Sequence, residues 1–121
     1  MKILVIDDEE DVRYIVRISL GRLGGMTVLE AADGAEGLEL AKRERPAYIL
    51  LDMMMPGMGG ASVFHALRAA PETANIPVVF LTAATRAYDV ERMKDLGAKG
   101  VISKPFDPLR LGEEIAAILA A

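Results

Sequence analysis

Five short apolar runs, each followed by a stretch of helical periodicity, constrain this 121-residue chain more than any other feature. They are Ile3-Leu4-Val5-Ile6, Met26 to Leu29, Tyr48 to Leu51, Val78 to Leu81 and Val101-Ile102. The first, third and fourth are apolar throughout rather than at alternate positions. Strict alternation marks a sheet with one wet face, whereas an unbroken apolar strand needs a helix layer on each side of the pleat.

Between the runs the period changes. Val12, Ile15, Val16, Ser19, Leu20 and Leu23 fall on one helical face, with Arg13, Arg17 and Arg22 largely off it. A second helix is expected to start at Asp33, with Glu36 three residues on as in a capping box, to turn Leu38 and Ala41 inward, and to stop near Pro46. Gly60 to Ala69, through Val63, Phe64 and Leu67, and Arg86 to Leu96, through Val90 and Met93, give the third and fourth. For the fifth, Asp107 is the expected cap and Pro108 the first helical residue, ahead of Leu111, Ile115, Ile118 and Leu119. Strand then helix, five times over with right-handed crossovers, predicts an α/β fold, a doubly wound five-stranded parallel sheet with helices on both faces. No linker, low-complexity segment or repeat interrupts the pattern, so residues 1–121 read as one domain with no output domain.

Composition narrows the function classes. A hydrophobic content of 52% suffices for one core. The net charge of -4 and a pI near 5.0 provide no basic footprint, so neither direct nucleic-acid binding nor an anionic membrane partner is expected. Without cysteine there is no disulfide framework and no thiolate metal site. No apolar stretch approaches the ~20 residues of a membrane span, and a cytoplasmic protein is expected.

Open sheets of this kind bind ligands beyond the carboxyl ends of their strands. Asp7-Asp8 follow the first apolar run, Asp52 the third, Thr82 the fourth and Ser103-Lys104-Pro105 the fifth, while the second offers only Glu30. Two carboxylates about 4 Å apart repel by about 4 kcal/mol at an effective dielectric of 20, so three together need a cation or protons. Oxygen ligands without imidazole or thiolate favour Mg²⁺ over Zn²⁺. Taken singly, the run Asp7 to Asp11 would merely suit the positive end of a helix, Asp52 a turn and Lys104 a solvated face. Their convergence on one sheet edge carries the functional reading. Met53, Met54, Met55 and Met58 read as loop packing, since thioethers suit Cu(I), and His65 lies mid-helix, away from the strand ends.

Asp7-Asp8, Asp52 with Met55-Pro56 and Gly60, Thr82-Ala83, and Lys104-Pro105-Phe106 resemble, in order and spacing, the signature positions of the response regulator receiver domain of two-component signalling, in its single-domain chemotaxis form. The resemblance runs from Lys2 to the last helix. It implies a flavodoxin-like strand order 2-1-3-4-5 and a phosphoaspartate at Asp52. It also implies Mg²⁺ held by Asp8 and Asp52 directly, by Asp7 through water and by the backbone carbonyl of Met54. Lys104 and Thr82 would meet the phosphoryl oxygens, and Lys104-Pro105 would be cis. The implied donor is a sensor histidine kinase or a histidine phosphotransfer protein. An unidentified downstream protein would read the face of the fourth helix, fifth strand and fifth helix (α4-β5-α5), through which a homodimer is also conceivable. Such a chain is no enzyme toward other substrates; it catalyses only its own phosphorylation and dephosphorylation.

The pattern is broken in three places. Val101 stands where many receivers carry a switching aromatic, so movement of the loop from Ala83 to Arg86 at Thr82 is expected to carry the signal, the alternatives being substitution by Tyr88 or Phe106, or weak coupling. Gly59 replaces a common acidic residue, and with Gly57 and Gly60 it predicts a flexible loop. Met54 and Ala84 match positions that tune phosphoryl lifetime, and with no charge there self-dephosphorylation should be slow. Competing folds fit less well: Asp7-Asp8-Glu9-Glu10 would repel a flavodoxin-type phosphate, and haloacid-dehalogenase-type phosphatases place two acids flanking a single residue. The remaining alternative is a phosphorylation-independent receiver-like interaction module, although such forms usually lose an Asp, the Thr or the Lys.

Overall fold

The computed structural model describes residues 1–83 and 87–121, and the side chains of all of these but Ala87 and Tyr88. Its elements in order are β1 (Lys2–Ile6), α1 (Glu10–Val16) continuing as a π-helical segment (Arg17–Leu23), β2 (Thr27–Ala31), α2 (Gly34–Glu44), β3 (Tyr48–Asp52), α3 (Gly60–Ala69), β4 (Val78–Thr82), α4 (Ala87–Asp95), β5 (Gly100–Ser103) and α5 (Leu111–Ala120). The strands form one parallel sheet in the order β2-β1-β3-β4-β5. The expected fold class and strand order are both present.

The wholly apolar strands do what their composition demands. On one face Leu4, Ile6, Ile49, Leu51, Val78 and Phe80 pack with Ala41 of α2, Val63, Phe64 and Leu67 of α3 and Met93 of α4. On the other, Ile3, Val5, Leu50, Val79, Leu81 and Ile102 meet Val16 and Leu20, with Leu111 and Ile115 of α5. Successive strand residues alternate between the two cores because the side-chain period is two.

Local signals set most boundaries. Asp33 accepts from the Glu36 amide at 2.8 Å, and Glu36 returns the contact to the Ala32 amide at 3.1 Å. The helix closes at Arg45, in a left-handed conformation (φ 46°), directly before Pro46.

Two expectations need correction. Pro108 is not the first helical residue. Asp107 Oδ1 accepts from the Leu109 amide at 2.9 Å and its carbonyl from Arg110 and Leu111, so it closes a tight turn and α5 begins only at Leu111. The first helix, expected as one regular α-helix, widens at Arg17. In the wider π turn each residue advances less around the axis, and Leu23, expected on the inner face, is left 64% exposed. The buried Ser19 hydroxyl, inside the widened segment, donates to the Pro108 carbonyl and ties it to the turn before α5.

Arg86, Ala84 and the loop movement expected between Ala83 and Arg86 fall on positions outside the described residues, as does the Tyr88 side chain. Among the described residues no helix is long and apolar enough to cross a membrane.

Candidate functional site

β1 and β3 are central in the sheet and end side by side, which brings Asp7 and Asp52 together. Asp7 continues β1, its amide donating to the Ala31 carbonyl at 3.1 Å, and Asp52 is the last residue of β3. Both are buried, Asp7 completely. Asp8 is exposed, yet one carboxylate oxygen from each of Asp7, Asp8 and Asp52 lies within 4.8 Å of the other two.

The cation comes from the neighbouring edge. Thr82 and Ser103 are paired in register at the ends of β4 and β5, and the Lys104 amide donates to the Thr82 carbonyl at 2.8 Å. From there Lys104, after which the chain passes through a cis peptide to Pro105, brings Nζ to 2.8 Å from Asp7 Oδ2 and 3.4 Å from Asp52 Oδ1. Thr82 is buried at the end of β4 and borders a groove of about 460 Å³ shared with Met53, Met54 and Met93.

Backbone geometry fixes the acidic groups. Asp7 Oδ1 accepts from the Glu9 amide at 2.9 Å, and Asp52 Oδ1 from the Met54 amide at 3.1 Å. Gly60 opens α3 against the end of β3: a Cβ there would lie 2.5 Å from the Asp52 carbonyl oxygen and 2.7 Å from Met53 Cα. That glycine therefore serves close approach of two backbones, whatever freedom Gly57 (φ 77°) gives the preceding loop.

The electrostatics follow from burial. Desolvation raises the Asp52 carboxyl to about 6, helped by the negative charge of Asp7 and opposed by the Met54 amide and by Lys104. For Lys104, burial works to lower the ammonium, but the hydrogen bond and charge of Asp7, with Asp52 and Glu9, outweigh it and hold it above its ordinary value. One ammonium does not complete the site. Asp7 Oδ2 is buried with the Lys104 ammonium, at 2.8 Å, as its one described partner, which leaves it a lone pair to spare. Carboxylate oxygens with an unfilled lone pair suit a hard divalent cation, and the 4.8 Å spread is little more than the ~4.2 Å between opposite ligands of Mg²⁺.

Of the residues expected from the sequence, Asp7, Asp8, Asp52 and Lys104 are brought together, and Thr82 ends the neighbouring strand β4. Met54 contributes its amide to Asp52, and its side chain is 75% exposed. His65 is exposed on α3, its ring 6.3 Å from that of Phe64 and inclined to it by 65°. Two participants had not been singled out. Glu9 places Oε1 3.3 Å from Lys104 Nζ, and Arg13 donates to the Asp7 carbonyl at 2.8 Å. Glu9 was hidden in an acidic run, and Arg13 was read only as lying off the inner helical face.

The family model described as the response regulator receiver domain matches residues 3–116. The chain belongs to the response regulator receiver domain family. This receiver domain is 41% identical over 118 residues to the probable transcriptional regulator ycf27 of Porphyridium aerugineum, covering 98% of this chain and 48% of that protein. It is 37% identical to the alkaline phosphatase synthesis transcriptional regulatory protein PhoP of Bacillus subtilis, again over 98% of this chain and 48% of the relative. The receiver domain thus spans about half the length of these relatives. Protein PilH of Pseudomonas aeruginosa is 34% identical over 119 residues, covering 98% of each. Among solved structures, the chemotaxis response regulator CheY4 of Vibrio cholerae superimposes with a TM-score of 0.89 at 32% identity, covering 97% of each chain.

Proposed function

We propose that this receiver domain accepts a phosphoryl group on Asp52 from a phosphohistidine donor, a sensor histidine kinase or histidine phosphotransfer protein, and thereby switches a protein-binding face. The observation that carries the reading is the meeting of Asp7, Asp8 and Asp52 with the Lys104 ammonium at one strand edge. An Asp52 carboxylate oxygen attacks phosphorus, the P–N bond of the donor breaks, and its electron pair returns to the imidazole, which takes up a proton. The product is an acyl phosphate on Asp52. Lys104 supplies a point charge to a phosphoryl oxygen and Thr82 a neutral hydroxyl donor. Asp8, Asp52, Asp7 through water and the Met54 carbonyl would hold Mg²⁺, whose chemistry there is to offset the repulsion between two anions.

A phosphoryl group adds about -1.5 to -2 charge at pH 7, enough to draw Thr82 and Lys104 toward it. The two side chains leave adjacent strands that are hydrogen-bonded to each other, and α4 packs on β5, which supports an output through α4, β5 and α5. The same face would serve a homodimer. In this reading the chain acts on no other substrate, and it works in the cytoplasm.

Incubation with acetyl phosphate and Mg²⁺, followed by intact mass, tests the reading. One added phosphoryl group is expected on the wild type and none on Asp52→Asn. An unlabelled wild type would instead favour a phosphorylation-independent interaction module.

A further inference from the structure

Lys104 touches three carboxylates, and they are not equivalent. The Asp7 and Asp52 side chains are 0% and 3% exposed, that of Glu9 60%. Asp7 and Asp52 are also pinned by backbone amides, whereas no hydrogen bond to the Glu9 carboxylate other than that of Lys104 is described. Of the groups that hold the ammonium, Glu9 alone can therefore swing into water at little cost. The Glu9 amide, not its side chain, orients Asp7, so the carboxylate can change without moving that ligand.

Glu9 also stands at an opening. With Lys104, Val12, Ile15 and Phe106 it lines a groove of about 360 Å³ on the α1 side of the cluster. An anionic donor arriving at Lys104 meets this negative charge, and a phosphoryl oxygen must take over the ammonium that Glu9 shares.

We infer that Glu9 is a positioning residue for phosphoryl transfer: it holds Lys104 at the mouth of the site in the resting protein and competes with the phosphoryl oxygens for that ammonium. The inference rests on Asp52 being the phosphoacceptor. Removing the charge should let Lys104 close fully on the phosphoryl group. Exposed ion pairs are worth about 0.2–1 kcal/mol, so the effect is at most about fivefold.

The experiment compares wild type, Glu9→Gln and Glu9→Asp. Labelling by acetyl phosphate and loss of label after its removal are followed by intact mass, Mg²⁺ affinity by calorimetry, and the Lys104 ammonium by ¹⁵N NMR without metal. The expected result is about two- to fivefold faster labelling or slower loss in Glu9→Gln, unchanged Mg²⁺ affinity, and a shifted Lys104 signal. Glu9→Asp, which keeps the charge but draws the oxygen back from Nζ, should behave like Glu9→Gln. Rates and signal equal to wild type in Glu9→Gln would overturn the inference, as would wild-type behaviour of Glu9→Asp, which would reduce Glu9 to a diffuse field. A marked loss of Mg²⁺ affinity would make Glu9 a metal ligand and equally overturn it. No labelling of the wild type would instead remove the phosphoacceptor reading, and this inference with it.

Discussion

Asp52 and Gly60 face each other across the β3–α3 connection so closely that a single methyl group on the glycine would overlap the Asp52 carbonyl oxygen, at 2.5 Å. The first turn of α3 is thereby held against the strand that carries the central carboxylate. Gly60→Ala must push these backbones apart, and a destabilisation of about 1–3 kcal/mol is expected from urea unfolding. If Asp52 is the acceptor, labelling by acetyl phosphate should fall as well. A folded, fully labelled variant of unchanged stability would contradict this contact.

The raised Asp52 carboxyl makes stability depend on pH. Its value is about 6 in the folded chain against 3.8 as the ordinary value, so between these pH values the native state binds more protons than the unfolded one. The Asp52 contribution to stability is then greatest below about 4 and is lost as pH rises through about 6. Asp52→Asn removes this loss. Without metal it should be more stable than wild type at pH 7.5, by about 1–3 kcal/mol, with the difference fading toward pH 4. Equal urea midpoints at pH 7.5 would count against a strained carboxylate.

Lys104 is the cation that lets Asp7 and Asp52 coexist. Lys104→Ala leaves two buried carboxylates with no ammonium, and removing one partner of a buried pair costs about 3–5 kcal/mol, an upper figure for a lysine that keeps 14% exposure. Unfolding in EDTA should show most of this loss. Millimolar Mg²⁺ should restore much of it, since a divalent ion can take the place of the ammonium. A loss indifferent to Mg²⁺ would speak against a metal in the carboxylate cluster.

Asp8 tests the metal more cleanly, because it is exposed and its replacement should barely change the metal-free fold. Mg²⁺ is expected to raise the wild-type thermal midpoint in a concentration-dependent way, by linkage to the folded state. In Asp8→Asn the same shift should need at least about tenfold more Mg²⁺. Identical titrations would exclude Asp8 as a ligand.

The Ser19 hydroxyl, donating to the Pro108 carbonyl, is the one side-chain hydrogen bond described between the widened helix and the turn before α5. Ser19→Ala should cost about 1 kcal/mol in urea unfolding, the ordinary net value of such a bond, plus what the unpartnered carbonyl loses. Hydrogen exchange should quicken across residues 17–23 and 108–110.

The sequence by itself determined the layers and the site. An apolar strand such as Ile49-Leu50-Leu51 has no polar face to offer water, so helices had to cover both sides, and a doubly wound sheet places strand ends together. That alone brought Asp7, Asp52, Thr82 and Lys104 to one edge, because the first three directly follow an apolar run and Lys104 comes one residue after that. Tertiary structure decided what periodicity cannot express. The shift of the first helix into a π turn goes with a contact to Pro108, 89 residues away along the chain. Which carboxylates meet Lys104 depends on the path of a flexible side chain, and so Glu9 emerged only in three dimensions. Local patterns fix which face of an element is buried; the partner a long polar side chain finds is set by packing between elements distant in the chain.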